Sequence, residues 1–272
     1  MCRWLAYSGP PMRIDRLLLQ PANSLIRQSL HSQRGAVPTN GDGFGVGWYG
    51  ERSFPGVFRD TLPAWNDANL RSLAEQIRAR LFFAHVRAST GTSTSRENCH
   101  PFAFENFLFM HNGKIGGYAR IRREIEHMIP AALYQSRVGT TDSEAFFLLA
   151  IGNGLIDDPA RALARTIGQV TELMRAHDIE DPFRMTAALS DGERIVAVRY
   201  SSDHQSPTLY YAIGGEIDVP DREVRFTAGR GSVLVLSEPL DEHEGPWLEV
   251  PEGHVLESKS GDARVQPLAI PG

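Results

Sequence analysis

The sequence predicts an α+β fold in which two antiparallel sheets pack together and helices cover their outer faces. Bulky apolar segments of strand length occur near both ends of the chain, and the longest stretches with helical spacing lie between residues 117 and 177. Short connections favour antiparallel pairing over regular βαβ units. With 272 residues, of which 42% are apolar, the chain can bury a sizeable core, and we expect a single domain over residues 2–272.

The predicted elements of the first half are, in order, a strand at residues 4–7, helices at 13–20 and 24–32, a strand at 43–49, a helix at 67–80 and strands at 81–86 and 107–110. The first strand is bulky and aromatic. The strand at 43–49 alternates glycine with Phe44, Val46 and Trp48, which is typical of a strand packed closely against another backbone. In the helix at 67–80, large apolar residues recur at helical spacing along one face.

The second half is predicted to hold helices at 117–128, 141–151 and 160–177, followed by strands at 184–189, 194–200, 208–212, 232–237 and 254–256. The helix at 141–151 begins with Thr141-Asp142-Ser143-Glu144, which is typical of a helix N-terminus, and continues as a nearly all-apolar segment. Residues 91–98 are polar and irregular, so we expect a surface loop there. Residues 201–207 are predicted to form a hairpin loop.

Charge and composition disfavour several classes of function. The formal net charge of −5 and the isoelectric point near 6.0 argue against a nucleic-acid-binding surface and a polybasic membrane anchor. The N-terminal segment lacks the apolar stretch of a signal peptide, and no apolar run approaches the roughly 20 residues of a membrane span. Two cysteines do not make a disulfide framework, so we expect a cytoplasmic protein.

Cys2 is the candidate nucleophile because removal of Met1 would make it the first residue. The thiolate of such a residue can attack a carbonyl carbon, and its own α-amine, with a reference pKa of about 8, can accept the thiol proton near neutral pH. One residue would then supply both nucleophile and general base. Taken alone, a cysteine at this position is better explained as a small residue at the start of a strand.

Three other segments place polar groups at the end of a strand or the start of a helix. The guanidinium of Arg87, after an apolar strand, suits a carboxylate, although in isolation an arginine that reaches solvent or a structural aspartate is the simpler interpretation. Asn112-Gly113 predicts a hairpin turn, and its side-chain amide beside an unhindered N–H can also stabilise an oxyanion. Asp142 is suited either to capping its helix or to receiving a substrate ammonium group, and capping is the simpler interpretation.

Together with Cys2, these segments resemble the class II glutamine amidotransferases, which are N-terminal nucleophile (Ntn) hydrolases. No one motif is diagnostic, and the resemblance rests on several that occur in the family's order. They are Cys2, the glycine-rich segment at 40–49, His85-Val86-Arg87-Ala88-Ser89-Thr90-Gly91, Asn112-Gly113 and Thr141-Asp142-Ser143-Glu144. His100-Pro101 and Ser237-Glu238-Pro239-Leu240 also fit the free-standing branch of the family, so the resemblance extends from residue 2 to about residue 240.

The resemblance implies a reaction, a fold and a set of roles. Cys2 would attack the side-chain amide carbon of glutamine or a γ-glutamyl compound and form a thioester, with Asn112 and the N–H of Gly113 as the oxyanion hole. The implied substrate-binding residues are Arg87 for the α-carboxylate and Asp142 for the α-ammonium group, with Thr90 and His85 beside them. The implied fold is the four-layer α/β/β/α sandwich of the Ntn hydrolases, and no cofactor or metal is implied.

The chain also differs from the synthases of this class. From its length we expect no acceptor domain behind the glutaminase domain, and Ala88 stands where the large synthases place an aromatic residue. The short branch includes γ-glutamyl amidases, as in ergothioneine synthesis, so the expected partner is glutamine or a γ-glutamyl small molecule. A separate synthase subunit that accepts ammonia, and a catalytically silent γ-glutamyl-binding regulatory subunit, stay open as alternatives.

Two other hydrolase hypotheses are weaker. A papain-like enzyme would use Cys99, but this residue lies in a loop and does not begin a helix that would stabilise its thiolate. A metallohydrolase could recruit His85, His100 and His111, but no metal-binding spacing such as HExxH supports it. If Met1 is retained, an amide replaces the α-amine, and we expect that species to be an inactive precursor.

Overall fold

The computed structural model describes residues 2–34, 38–89, 91, 93–242 and 246–271, so Thr90 of the predicted site lies outside the described residues. The helices are α1 (Asp15–Leu18), α2 (Leu25–Leu30), α3 (Ala68–Gln76), α4 (Tyr118–Met128), α5 (Ala131–Tyr134), α6 (Asp142–Gly152) and α7 (Pro159–Ala176). The strands are β1 (Arg3–Arg13), β2 (Phe44–Trp48), β3 (Gly56–Asp60), β4 (Arg78–Val86), β5 (Phe102–Phe104), β6 (Phe107–Lys114), β7 (Arg184–Ser190), β8 (Arg194–Ser201), β9 (Tyr210–Gly214), β10 (Ile217–Asp218), β11 (Arg225–Phe226), β12 (Ser232–Leu236), β13 (Leu248–Glu249), β14 (His254–Lys259) and β15 (Asp262–Pro267). No helix within these described ranges is long and apolar enough to cross a membrane.

Two antiparallel sheets organise most of these strands. One sheet has seven strands in the order β13-β9-β12-β1-β4-β2-β3, and the other has six in the order β15-β14-β8-β7-β6-β5. Strand β1 lies in the middle of the first sheet, between β12 and β4, and β6 pairs with β7 in the second. Strands β10 and β11 form a separate two-stranded ribbon. The N-terminal strand is therefore held on both sides, which fixes the residues at its start.

Three hydrophobic clusters define the layers. Trp4 and Phe83 of the seven-stranded sheet share one cluster with Met110 of the six-stranded sheet, so this cluster lies between the sheets. A second joins the opposite face of the seven-stranded sheet, including Tyr7, to α1, α2 and α3. A third joins Phe109 and its neighbours on the six-stranded sheet to α4, α6 and α7. The layer order is helix, sheet, sheet, helix, which confirms the predicted four-layer sandwich.

The glycines of β2 allow a close approach to the segment that precedes β5. A Cβ atom on Gly45 would lie 2.2 Å from the carbonyl oxygen of His100, and one on Gly47 would lie 2.8 Å from Cγ of Pro101. The alternating glycine pattern therefore predicted both the strand and its contact with another backbone. This contact packs the His100-Pro101 segment against the seven-stranded sheet.

Several predicted boundaries were wrong because pairing between strands overrode helical spacing. The helix predicted at 13–20 is reduced to α1, because Arg13 still pairs with Arg78 at the end of β1. The helix predicted at 67–80 ends at Gln76, and Leu81 belongs to β4 rather than to the helix. Strands β3, β5, β10, β11, β13 and β15 were not predicted, since each is short or polar.

Two predicted turns were also wrong. Residues 201–207 do not form a hairpin, because β8 belongs to the six-stranded sheet and β9 to the seven-stranded sheet. The Asn112-Gly113 pair lies inside β6 rather than in a turn, and Asn112 pairs with Thr186 and Gly113 with Met185 of β7. The ladder between β6 and β7 outweighs the local preference of Asn-Gly for a turn.

Candidate active site

The predicted nucleophile lies at the start of the central strand β1. Arg3 pairs with Val86 of β4, so Cys2 lies opposite Arg87, the residue that follows β4. Side chains alternate along a strand, and Trp4 belongs to the cluster between the sheets. Cys2, which is half-buried, is therefore directed to the same side, at the end of the gap between the two sheets.

The sulfur of Cys2 contacts the backbone that follows β4. The N–H of Ala88 donates to Sγ over 3.5 Å, and Sγ lies 3.6 Å from the carbonyl oxygen of the same residue. Burial raises the pKa of the Cys2 thiol, and the Ala88 N–H and the charges of Arg87 and Arg3 act in the opposite direction. Because the net shift is upward, the thiol needs a nearby base to become a nucleophile at neutral pH.

Gly113 provides a stretch of β6 backbone that no other residue type fits. Its φ is +152°, a conformation that residues with a Cβ rarely adopt. An added Cβ would lie 1.8 Å from the carbonyl oxygen of Arg184 and 2.6 Å from Nε2 of His111. The missing side chain therefore keeps the β6 backbone in place beside β7.

Asn112 offers an amide with unused hydrogen-bonding capacity. Its side chain is fully buried, and neither Nδ2 nor Oδ1 has a partner among the described residues. Leu108 and Met110 share its face of β6 and belong to the cluster between the sheets, so Asn112 points into the same gap as Cys2. Leaving a buried donor unsatisfied costs on the order of 1–3 kcal/mol, and such a group is suited to a ligand or an ordered water.

Arg87 is a buried cation at the cavity wall. Its Nη1 donates to the carbonyl oxygen of Asp42 over 3.2 Å, and its Nη2 donates to Oγ of Ser89 and the carbonyl oxygen of Ser93, each over 3.3 Å. These bonds fix the plane and position of the guanidinium. A guanidinium held in one orientation is suited to recognising a carboxylate.

Asp142 is the first residue of α6, but the helix is capped by its neighbour. Oγ1 of Thr141 accepts from the N–H of Glu144 over 3.1 Å, which is the N-cap bond. The Asp142 carboxylate instead accepts from the N–H of Ile115 over 2.9 Å and from the N–H of Ser143 over 2.8 Å. It is thereby fixed, half-buried, beside the end of β6 and at the wall of the cavity.

One cavity of about 340 Å³ brings most of the predicted residues together. Its wall includes Cys2, Gly113, Arg87 and Asp142. Asn112 and His85 are not part of the wall. His85 is buried between the sheets with Nε2 3.2 Å from the carbonyl oxygen of His111, so it faces the backbone of β6 rather than the cavity. The roles assigned to all these side chains stay predictions.

Several residues of the cavity wall were not predicted from the sequence, namely Lys114, Tyr118, Arg120 and Asp181. Nζ of Lys114 lies 2.7 Å from a carboxylate oxygen of Asp181, and Nη2 of Arg120 donates to the carbonyl oxygen of His177 over 2.8 Å. The position of Lys114 directly after Asn112-Gly113 could have identified it. No sequence signal connects Asp181, which lies just before β7, with this site.

The residues of the two weaker hypotheses lie in unsuitable surroundings. Cys99 is fully buried, its Sγ lies 3.4 Å from the carbonyl oxygens of Asp60 and Ser95, and burial raises its pKa to about 11. The rings of His85 and His100 pack with centroids 4.3 Å apart, and burial lowers the pKa of His85 to about 3. Over the part of the chain that the structure describes, no group of three or more His, Cys, Asp or Glu side chains could hold a metal ion.

Comparison with known proteins identifies relatives of this chain. A family model described as "Glutamine amidotransferases class-II" matches residues 20–269. The probable glutamine amidotransferase DUG3 of Saccharomyces cerevisiae is 33% identical over 301 aligned positions, which cover 98% of this chain and 84% of that protein. The gamma-glutamyl-hercynylcysteine sulfoxide hydrolase of Mycolicibacterium smegmatis is 28% identical over 273 positions, which cover 98% of this chain and 100% of that protein.

Solved structures agree with this fold. A glutamine aminotransferase class-II domain protein from Silicibacter pomeroyi superposes with a TM-score of 0.74 at 35% identity, covering 99% of this chain and 100% of that chain. The glutamine phosphoribosylpyrophosphate amidotransferase of B. subtilis superposes with a TM-score of 0.62 at 13% identity, covering 99% of this chain and 50% of that chain. At that low identity the second structure supports the fold alone.

Proposed function

The chain belongs to the class II glutamine amidotransferases, and from that premise we propose that it is an amidohydrolase that cleaves the γ-amide of glutamine or of a γ-glutamyl compound. The main support is the single cavity that Cys2, Arg87, Gly113 and Asp142 border together. In it, the proposed nucleophile lies with the fixed guanidinium of Arg87 and the fixed carboxylate of Asp142. These are the charges that the α-carboxylate and α-ammonium groups of a glutamyl substrate require.

Acylation begins, in this proposal, with an N-terminal Cys2 from which Met1 has been removed. The free α-amine takes the thiol proton, Sγ bonds to the amide carbon, and the C–N bond breaks as the proton passes to the leaving nitrogen. Water then attacks the γ-glutamyl thioester, the amine accepts the water proton, and the released products are glutamate and the restored thiol. The upward shift of the thiol pKa is the reason that a local base is needed.

The tetrahedral intermediates carry an oxyanion, which Asn112 and the N–H of Gly113 are proposed to bind. The support is that Nδ2 of Asn112 is buried without a partner among the described residues, and that this side chain and Cys2 face the same gap. A single donor of this kind is typically worth about 10²–10³ in kcat. Removing the amide therefore has a much larger effect on turnover than on the fold.

The leaving group is proposed to occupy the part of the wall that carries Lys114, Arg120 and Asp181. Two cations and one carboxylate give this wall a net positive charge, which favours a leaving amine that carries a carboxylate. Gly91, from the polar loop predicted at 91–98, also lines the cavity, whereas residues 201–207 do not. The catalytically silent regulatory subunit is the less favoured alternative, since homologues include a hydrolase.

Glutamate release from defined substrates tests the proposal. We expect the purified protein, shown by intact mass to lack Met1, to release glutamate from glutamine, γ-glutamylglycine or γ-glutamylmethylamide. Cys2→Ala should abolish release, whereas the matched variant Cys99→Ala should retain it. The ratio of kcat/KM for the glycine and methylamide substrates isolates the leaving-group carboxylate, and Lys114→Gln should lower that ratio.

Two outcomes would overturn the proposal. One is loss of activity with Cys99→Ala but not with Cys2→Ala, which would move the nucleophile. The other is failure of the processed protein both to release glutamate from any of the three substrates and to form a covalent adduct with a diazoketone analogue of glutamine. In that second case the regulatory, binding-only alternative would stand.

A further inference from the structure

A buried ion pair lies directly behind the proposed nucleophile. Arg3 follows Cys2 in the chain and is completely buried, and its Nε lies 3.6 Å from Oε2 of Glu238, which is also buried. Burying two charges costs much of their hydration energy, so such a pair is weak evidence for a stabilising role. Its position next to the catalytic terminus suggests a different one.

The guanidinium of Arg3 reaches back to the residue that precedes it. Nη1 donates to the carbonyl oxygen of Cys2 over 2.8 Å, and Nε donates to Oγ of Ser32 over 2.9 Å. The first residues of a chain fray unless they are tied down, and a nucleophile at the first position would lose its geometry with them. Arg3 therefore anchors the main chain of Cys2 itself.

Glu238 ties this anchor to two other parts of the fold. Its carboxylate accepts from the N–H of Arg34 over 2.8 Å, which holds the segment after α2. Its neighbour Ser237 accepts from the N–H of Trp4 through Oγ over 3.1 Å and donates its own N–H to the carbonyl oxygen of Trp4 over 3.0 Å. The residues that follow β12 thus hold the side chain of Arg3 through Glu238 and the backbone of Trp4 through Ser237.

We propose that Arg3 and Glu238 are positioning residues that hold Cys2 and tune the proton affinity of its amine and thiol. The inference rests on the proposed function, in which the α-amine is the base. A fixed cation disfavours the protonated amine and favours the thiolate, so Arg3 keeps the amine neutral and ready to accept a proton. Glu238 opposes this effect, whereas Arg87, which faces the thiol from the end of β4, acts in the same direction as Arg3. Arg3 and Glu238 therefore adjust the working pH against the constant contribution of Arg87.

The test is a pair of charge-removing variants with opposite expected shifts. Arg3→Gln should move the acid limb of the kcat/KM profile upward by about one pH unit, and Glu238→Gln should move it downward. Arg3→Lys keeps the positive charge but loses the paired hydrogen bonds of the guanidinium to Cys2 and Ser32. It should therefore leave the acid limb of the pH profile in place and lower kcat. Arg199→Gln, which breaks an ion pair of Arg199 with Glu249 outside the cavity, is the matched control and should not move the limb.

A second measurement keeps the inference separate from the proposed function. The rate at which iodoacetamide alkylates Cys2 as a function of pH reports the thiol pKa without any turnover, and it should shift upward in Arg3→Gln and downward in Glu238→Gln. If the unmodified protein released no glutamate but the variants showed these alkylation shifts, the proposed function would be refuted and the inference about Arg3 and Glu238 would stand. The inference would be overturned if the pH profile of alkylation, and likewise the pH profile of activity, were the same in all four variants as in the unmodified protein.

Discussion

Replacing Gly113 by alanine tests whether the β6 backbone has the strained, crowded geometry that the site requires. Gly113 has φ = +152°, and an added Cβ would lie 1.8 Å from a carbonyl oxygen of β7. Gly231 has almost the same φ, +156°, but nothing lies within 4 Å of its added Cβ. Gly231→Ala is therefore a matched control that carries the backbone strain without the clash.

The magnitude follows from these two terms. An unfavourable backbone conformation costs about 1–3 kcal/mol, which both variants share. The clash in Gly113→Ala adds about 1–3 kcal/mol, because the contacted atom is backbone and does not move aside as a flexible side chain would. For a chain of 272 residues, 1 kcal/mol lowers the melting temperature by about 2 °C. We expect a loss of about 2–6 °C for Gly231→Ala and about 4–12 °C for Gly113→Ala.

Thermal unfolding and glutamate release together check this reasoning. Gly113→Ala should also lose at least about 10²-fold in kcat, because the N–H proposed to bind the oxyanion moves, while Gly231→Ala should keep full activity. A Gly113→Ala protein that melts no earlier than Gly231→Ala would refute the steric argument. Full activity in a Gly113→Ala protein that melts early would refute the catalytic one.

Three further predictions concern thiol reactivity, pH and a buried carboxylate. At pH 8, iodoacetamide should modify Cys2 before Cys99, whose pKa is raised to about 11 by burial; peptide mass analysis that finds Cys99 modified first would contradict this. Burial lowers the pKa of His85 to about 3, whereas in the unfolded chain the pKa is about 6.5. The contribution of neutral His85 to the free energy of unfolding is therefore complete above about pH 6.5 and is lost as the pH falls toward 3. Urea unfolding midpoints that stay constant from about pH 7.5 to about pH 5 would argue against this. Glu144 accepts from two backbone N–H groups, at 3.0 and 2.8 Å, so Glu144→Gln should lower the melting temperature by about 2–6 °C. The exposed control Glu172→Gln should change the melting temperature by less than about 2 °C. Equal losses in the two variants would disprove the stabilising role of the Glu144 carboxylate.

The layered architecture was predictable from the sequence because hydrophobic patterning and short connections are local signals. The Asn112-Gly113 prediction shows where such signals fail. The pair has a strong local preference for a turn, yet it lies in β6 because its pairing with β7 involves residues more than 70 positions away. Such pairing depends on residues far apart in the chain, so a short segment of sequence gives no sign of it.

The candidate site was predictable to the extent that its chemistry depends on residue type. Cys2, Arg87 and Asp142 carry distinctive groups at the ends of elements, and all three line one cavity. Asp181 escaped notice because an exposed aspartate before a strand is common, and only the fold brings it within 2.7 Å of Lys114. His85 was grouped with the binding residues through its place in the motif, but it is not part of the cavity wall, because its Nε2 lies 3.2 Å from the carbonyl oxygen of His111 on β6.

Cys2 directly precedes β1 of the seven-stranded sheet, while Asn112 and Gly113 belong to the six-stranded sheet. The proposed chemistry consequently depends on the docking of two sheets, each of which has its own ladder of hydrogen bonds. A partial opening that separates the sheets would silence the enzyme while each sheet kept its own ladder. Turnover therefore reports on the packing of the two sheets against each other. Mild denaturant should abolish turnover before circular dichroism records any loss of strand content.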